Sequence, residues 1–229
     1  MAVNSFLGPY ASGPGQPSTQ NPLRSLSSSF SLSDVMQLYQ FSAEKGDPRS
    51  LLFLGQIYYH GSNVLKQNFP LAISCFKKIL KAAPDQFFGT EKVVPETQAE
   101  KDLLSFSADA AAYLGAMYLR GEGTTVDYEK GKKYIEYALK YENAISLFYY
   151  GLLHMKGTAN LPKDDEKALQ YLNAAIKKGS NEANAYAAEI LLNKGEHQAA
   201  YAYFLKATRT GNILALYRIS DMYLHGKCP

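Results

Sequence analysis

From residue 33 onward, apolar side chains return at intervals of three, four and seven, which is the spacing of one face of a helix. Val35, Leu38 and Phe41 start the pattern, with Ser33–Asp34 as the N-cap signal. The phrase Leu54-Gly55-x-x-Tyr58-x-x-Gly61 then recurs as Leu114-Gly115-x-x-Tyr118-x-x-Gly121 and Tyr150-Gly151-x-x-His154-x-x-Gly157. Weaker copies are Ala188-Glu189-x-x-Leu192-x-x-Gly195 and Ile219-Ser220-x-x-Tyr223-x-x-Gly226. A second phrase alternates with the first. Lys130-Gly131-x-x-Tyr134, Lys167-Ala168-x-x-Tyr171 and Ala199-Ala200-x-x-Tyr203 are its clear copies, and Leu71-Ala72-x-x-Cys75 is a weaker one.

The first phrase predicts A helices near 48–60, 107–120, 144–156, 181–194 and 212–225. The second predicts B helices near 68–82, 127–141, 164–178 and 196–210. A leading helix at 33–46 stands as the B helix of a preceding repeat. Acidic residues open the B helices (Asp127, Glu129, Asp164) and basic ones close them (Lys140, Lys177, Lys178), as the helix dipole favours. Gly61, Gly121 and Gly157 fit the left-handed residue that ends a helix. The long step between Gly55 and Gly115 holds an insertion at about 84–106, with Pro84, Gly89 and Pro95 as breakers.

Glycine inside a helix costs about 1 kcal/mol against alanine, so its return in one register needs a packing reason. Gly55, Gly115, Gly151 and Ser220 keep the A side small, and Ala72, Gly131, Ala168 and Ala200 keep the B side small, so paired helices can approach closely. Tyr58, Tyr118 and Tyr223 then fill the next gap between helices. One such hairpin leaves apolar surface uncovered and stacking covers it, so the expected fold is an all-α solenoid of antiparallel helix pairs. Helix 212–225 lacks a following B helix, so Ile213, Leu216, Ile219 and Met222 should be incompletely covered. That predicts self-association through this end, or fraying of it.

Composition changes the picture little. Apolar residues are 46% of the 229, enough for a core, and a formal charge of +3 argues against a nucleic-acid partner. Residues 1–30, rich in Ser, Gly and Pro, read as a flexible tail before the repeat region 33–229. No window approaches the ~20 apolar residues of a membrane span. Met1–Pro22 lacks the charged start and continuous apolar run of a signal peptide. Cys75 takes the Tyr position of its B helix and should be a core thiol, and Cys228 should be exposed. His60, His154, His197 and His225 show no metal-ligand spacing. No nucleophile context stands out among the Ser and Asp residues and no glycine-rich phosphate loop appears, with a hydrolase using His154 or Cys75 as the alternative reading. The chain therefore reads as non-catalytic, with no cofactor or metal.

The two phrases, joined by a loop such as Gly121-Glu122-Gly123-Thr124-Thr125-Val126-Asp127, resemble the Sel-one-like repeat, a relative of the tetratricopeptide repeat. The resemblance covers about 33–229 and implies a right-handed superhelix of about four and a half repeats. It also implies a concave, partner-binding face lined by A helices, on which Gln56, Tyr59, His60, Tyr149 and His154 are the candidate binding residues. Ala111 to Gly123, and Gly211 to Tyr217 with Tyr223 to Gly226 and Cys228, are further similar to the lumenal adaptor of Hrd-type ubiquitin ligases of the endoplasmic reticulum. That likeness implies an internal part of a longer membrane-associated protein of the reticulum lumen. Its partners would be a membrane ubiquitin ligase, a lectin-type subunit and misfolded glycoproteins. The alternative is a cytoplasmic regulatory scaffold or enzyme activator built from the same repeats.

Overall fold

A computed structural model describes residues 32–63, 65–84, 89 and 91–227. The predicted tail 1–30 and Cys228 lie outside the described residues. Among the described residues there are ten helices and no strand. They are α1 Leu32–Glu44, α2 Pro48–His60, α3 Phe69–Ala82, α4 Gln98–Arg120, α5 Tyr128–Leu139, α6 Ala144–Lys156, α7 Asp165–Lys177, α8 Glu182–Asn193, α9 His197–Thr208 and α10 Ile213–Leu224.

Short polar residues set where the helices begin. Asn68, Asp127 and Asp164 each accept a hydrogen bond from the backbone N–H three residues on, at Leu71, Lys130 and Lys167. Each such cap contributes about 1 kcal/mol. The same residues close the hairpin: their own N–H groups donate to the carbonyls of Tyr58, Tyr118 and His154. The A and B helices of a pair are thus tied through backbone at one recurring register.

The insertion departs from expectation. Helix α4 begins at Gln98 rather than near 107, so the second half of the inserted stretch is helical. Thr97 caps it, and Glu100 returns a bond to the Thr97 N–H, completing a reciprocal capping box. Gly61 also differs: its φ of 75° is paired with ψ 166°, whereas Gly121 and Gly157 adopt the left-handed helical conformation.

The small residues permit the close approach. A Cβ on Gly115 would lie 2.7 Å from Ile135, and one on Gly131 would lie 2.8 Å from Leu119, closer than real side chains tolerate. Gly55 meets Phe76 in the same way at 2.5 Å, and Gly151 meets Leu172 less tightly at 3.0 Å. Ala72, Ala168 and Ala200 are fully buried across from them. Ser220 is exposed, because α10 has no B partner after it among the described residues. Of that helix's apolar face Met222 is buried, Ile219 half-buried, and Ile213 and Leu216 exposed. Cys75 is only half-buried, and burial still pushes its thiol pKa up.

The core runs along the stack without a break, in three adjoining clusters. The A helices α2, α4, α6 and α8 each pack on the B helix that follows, α10 packs on the preceding α9, and α2, α4, α6 and α8 also pack on one another in succession. No two B helices pack to that extent. Helices that lie closer together form the inner layer of a curved stack, so the A helices line the concave side.

Candidate partner-binding surface

The inner layer carries an aromatic row. Phe53, Tyr113 and Tyr149 each stand two residues before a small residue of the A phrase, which turns them towards the same side of successive helices. Tyr113 stacks on Phe76 at 5.1 Å and meets Tyr59 edge-on at 5.2 Å. Phe148 meets Tyr186 of the next A helix at 5.4 Å.

Arg120 joins three successive repeats on this face. Its guanidinium lies 5.8 Å from the Tyr59 ring and 5.5 Å from the Tyr149 ring, bridging α2, α4 and α6. Glu122 accepts from it at 2.7 Å, and the arginine remains partly exposed. Loss of water raises the Tyr149 hydroxyl well above its usual pKa, and Glu182 and Glu122 add to that while Arg120 opposes it. Burial also raises Tyr113, with Asp109 adding, while the Gln56 side chain bonds its hydroxyl. Both phenols stay neutral and able to donate at physiological pH. Tyrosine and arginine are the residue types that most often anchor protein interfaces, because they combine large contact area with directed polar groups.

Four of the five sequence candidates fall in or under this surface. Gln56 and Tyr59 are half-buried beside Tyr113, and His60 is exposed with its ring 6.1 Å from Tyr113. Tyr149 contributes its face to Arg120 yet is only 7% exposed, so it supports the surface from beneath. His154 does not belong to it. Its ring is 4% exposed and stacks on Tyr171 of the B helix α7 at 5.8 Å, so it faces the interior of the hairpin. At that register the repeat places an aromatic spacer, and imidazole fills the same slot.

Tyr113, Arg120 and Tyr186 were not singled out from sequence. The recurrence of an aromatic two residues before Gly55, Gly115 and Gly151 was a usable signal for Tyr113. Arg120 offered none, since a basic residue ending a helix is equally well explained by the dipole. Among the described residues, no three His, Cys, Asp or Glu side chains are grouped to hold a metal ion. No helix among them is long and apolar enough to cross a membrane.

Stacked antiparallel hairpins with an inner aromatic layer define an α-solenoid scaffold. The chain belongs to the Sel1 repeat family, whose profile matches residues 48–82, 108–140, 144–180 and 213–229, more than half its length. The matches fall on α2–α3, α4–α5, α6–α7 and α10, and omit α8–α9, where Glu189 replaces the small residue. The solved Sel1 repeat protein from Oxalobacter formigenes is similar in structure, with TM-score 0.56 and 21% identity over 82% of this chain and 68% of that one. So is c5321, a protective antigen present in uropathogenic Escherichia coli strains and displaying an SLR fold. It has TM-score 0.50 and 22% identity, over 84% of this chain and 44% of that one. At such identities the likeness is one of fold. No curated protein matches the chain. Sel1 repeats generally mediate protein–protein interactions and are generally non-catalytic.

Proposed function

We propose that this chain is the partner-holding part of an adaptor in endoplasmic-reticulum-associated degradation. It links a membrane ubiquitin ligase to a lectin-type subunit and receives misfolded lumenal glycoproteins. It works in the reticulum lumen within a longer membrane-associated protein. The observation that carries the scaffold role is the Arg120 bridge across three successive repeats, a composite surface that no single hairpin possesses. The lumenal assignment rests on the likeness of Ala111–Gly123 and of the 211–228 segment to the Hrd-type adaptor.

The test is affinity capture from cells of the full-length parent, with and without Arg120→Ala and Tyr113→Ala. The expected result is recovery of a membrane ubiquitin ligase and a lectin-type protein by the parent, reduced about tenfold or more by the double variant. Recovery of cytosolic enzymes alone would remove the lumenal assignment. Unchanged recovery by the variant would remove the inner face as the binding surface.

A further inference from the structure

Six residues before the small residue of each A phrase stand Arg49, Ile145, Ala183 and Leu214, so the repeat itself does not require an acid there. In α4 the residue is Asp109. The early start of α4, set by the Thr97 capping box, brings Pro95, Lys101, Leu104 and Ser105 over it. With Tyr141 and Asn143 from the α5–α6 turn they enclose a pocket of about 330 Å³. That lies within the range of about 300–1,000 Å³ usual for ligand pockets. The pocket is a product of the insertion and has no counterpart required by the other repeats.

Its polar lining is unbalanced. Asp109 accepts one hydrogen bond, from the Asn143 amide at 2.5 Å. Among the described residues no cation stands within 4 Å of its carboxylate. Lys101, on the same helix, is exposed at the rim and unpaired with it. On the facing turn, Lys140 donates to the Gly89 carbonyl and Glu142 pairs with Lys178 at 2.8 Å. The Asn143 side-chain Oδ1 accepts from the backbone N–H groups of Ile145 and Ser146. The Tyr141 hydroxyl is buried without a hydrogen-bond partner. The buried groups left with free capacity are one Asp109 carboxylate oxygen and the Tyr141 hydroxyl, while the Lys101 ammonium and Ser105 hydroxyl that also line the pocket are exposed to solvent.

We propose that this pocket receives the guanidinium of an arginine on a partner protein. A planar cation with several N–H donors supplies what both oxygens lack, and the Pro95, Leu104 and Ala108 walls cover its methylene stem. Desolvation lifts the Asp109 carboxyl to about 6, against the lowering effect of the Asn143 hydrogen bond. Docking of the cation stabilises the carboxylate, so any proton held there leaves to solvent as the ion pair forms.

The test uses the full chain, labelled for NMR, and the peptide acetyl-Gly-Arg-Gly-amide as probe. The expected result is a saturable shift of the Asp109 carboxyl carbon and the Tyr141 ring at pH 7.5. Affinity should fall about tenfold at pH 5, where about nine-tenths of the Asp109 carboxyls are protonated. The citrulline peptide, isosteric but neutral, should produce no such shift, and Asp109→Asn should abolish binding. Should that variant misfold, Tyr141→Phe keeps the ring and should weaken binding severalfold. Equal binding of the citrulline peptide, no saturable shift, or full binding by a folded Asp109→Asn chain would overturn the proposal. The readout is distinct from that of the Arg120 surface, because Arg120 does not line this pocket.

Discussion

Tyr118 and Tyr223 occupy the same register in two copies of one phrase, yet 5% of the first and 59% of the second is exposed. Tyr118 is stacked on Tyr134 at 5.8 Å, with the Lys130 ammonium 4.7 Å from its ring. Tyr223 meets Tyr201 on the preceding helix edge-on, with their hydroxyls 2.9 Å apart. Around it, Ile213 and Leu224 are 80% and 84% exposed. The sequence phrase is the same, but among the described residues α4 has helices on both sides and α10 has a helix on one. In a solenoid each hairpin takes much of its stability from its neighbours, so burial belongs to the position in the stack as much as to the residue.

The largest consequence of that comparison is in local opening. Amides of α10 should exchange with solvent at a free energy about 3 kcal/mol or more below those of α6, which hydrogen exchange by mass spectrometry resolves. Equal protection would mean that α10 is covered. If a second copy of the chain covers it, the protection rises with protein concentration, and sedimentation shows the dimer.

Substitutions at the close approach sharpen the contrast. Gly115→Val drives a side chain into Ile135 and the Gly131 carbonyl and should cost about 2 kcal/mol by denaturant unfolding. Ser220→Val, at the matching position of α10, should change stability by less than about 0.5 kcal/mol.

A smaller effect comes from Asp109. Its folded pKa, about 6, lies above the ordinary carboxylate value of 3.8. The folded state therefore holds the extra proton between those values, and stability falls as pH rises from about 4 to 6. Asp109→Asn should remove that dependence and raise stability at pH 7.5 by about 1 kcal/mol, leaving α10 exchange unchanged. A variant less stable than the parent at pH 7.5 would show that the carboxylate is compensated in the fold.

Much of the fold was written along the chain. Nine of the ten helices fall within two residues of where periodicity and caps put them, because small and aromatic residues recur at fixed offsets. The exception, α4, was misjudged at its start although Thr97-Gln98-Ala99-Glu100 is itself a capping signature. The proline and glycine residues before it masked that local signal. The binding surface was less legible. Tyr59 and Gln56 could be guessed from their helix, but His154 shares a recurring register with Tyr58 and Tyr118, and nothing in the register says which way that slot faces.

The sequence by itself determined the repeating unit: helix lengths, caps, and the small residues that let two helices meet. Those are local or nearest-neighbour properties, and a short window of chain contains all that sets them. The tertiary structure alone decided that Arg120 sits between Tyr59 and Tyr149, and that Asp109 lies under Pro95 beside Tyr141. Arg120 with Tyr59 and Tyr149, and Asp109 with Tyr141, are pairs far apart in the chain, and their geometry follows from the stacking of successive hairpins.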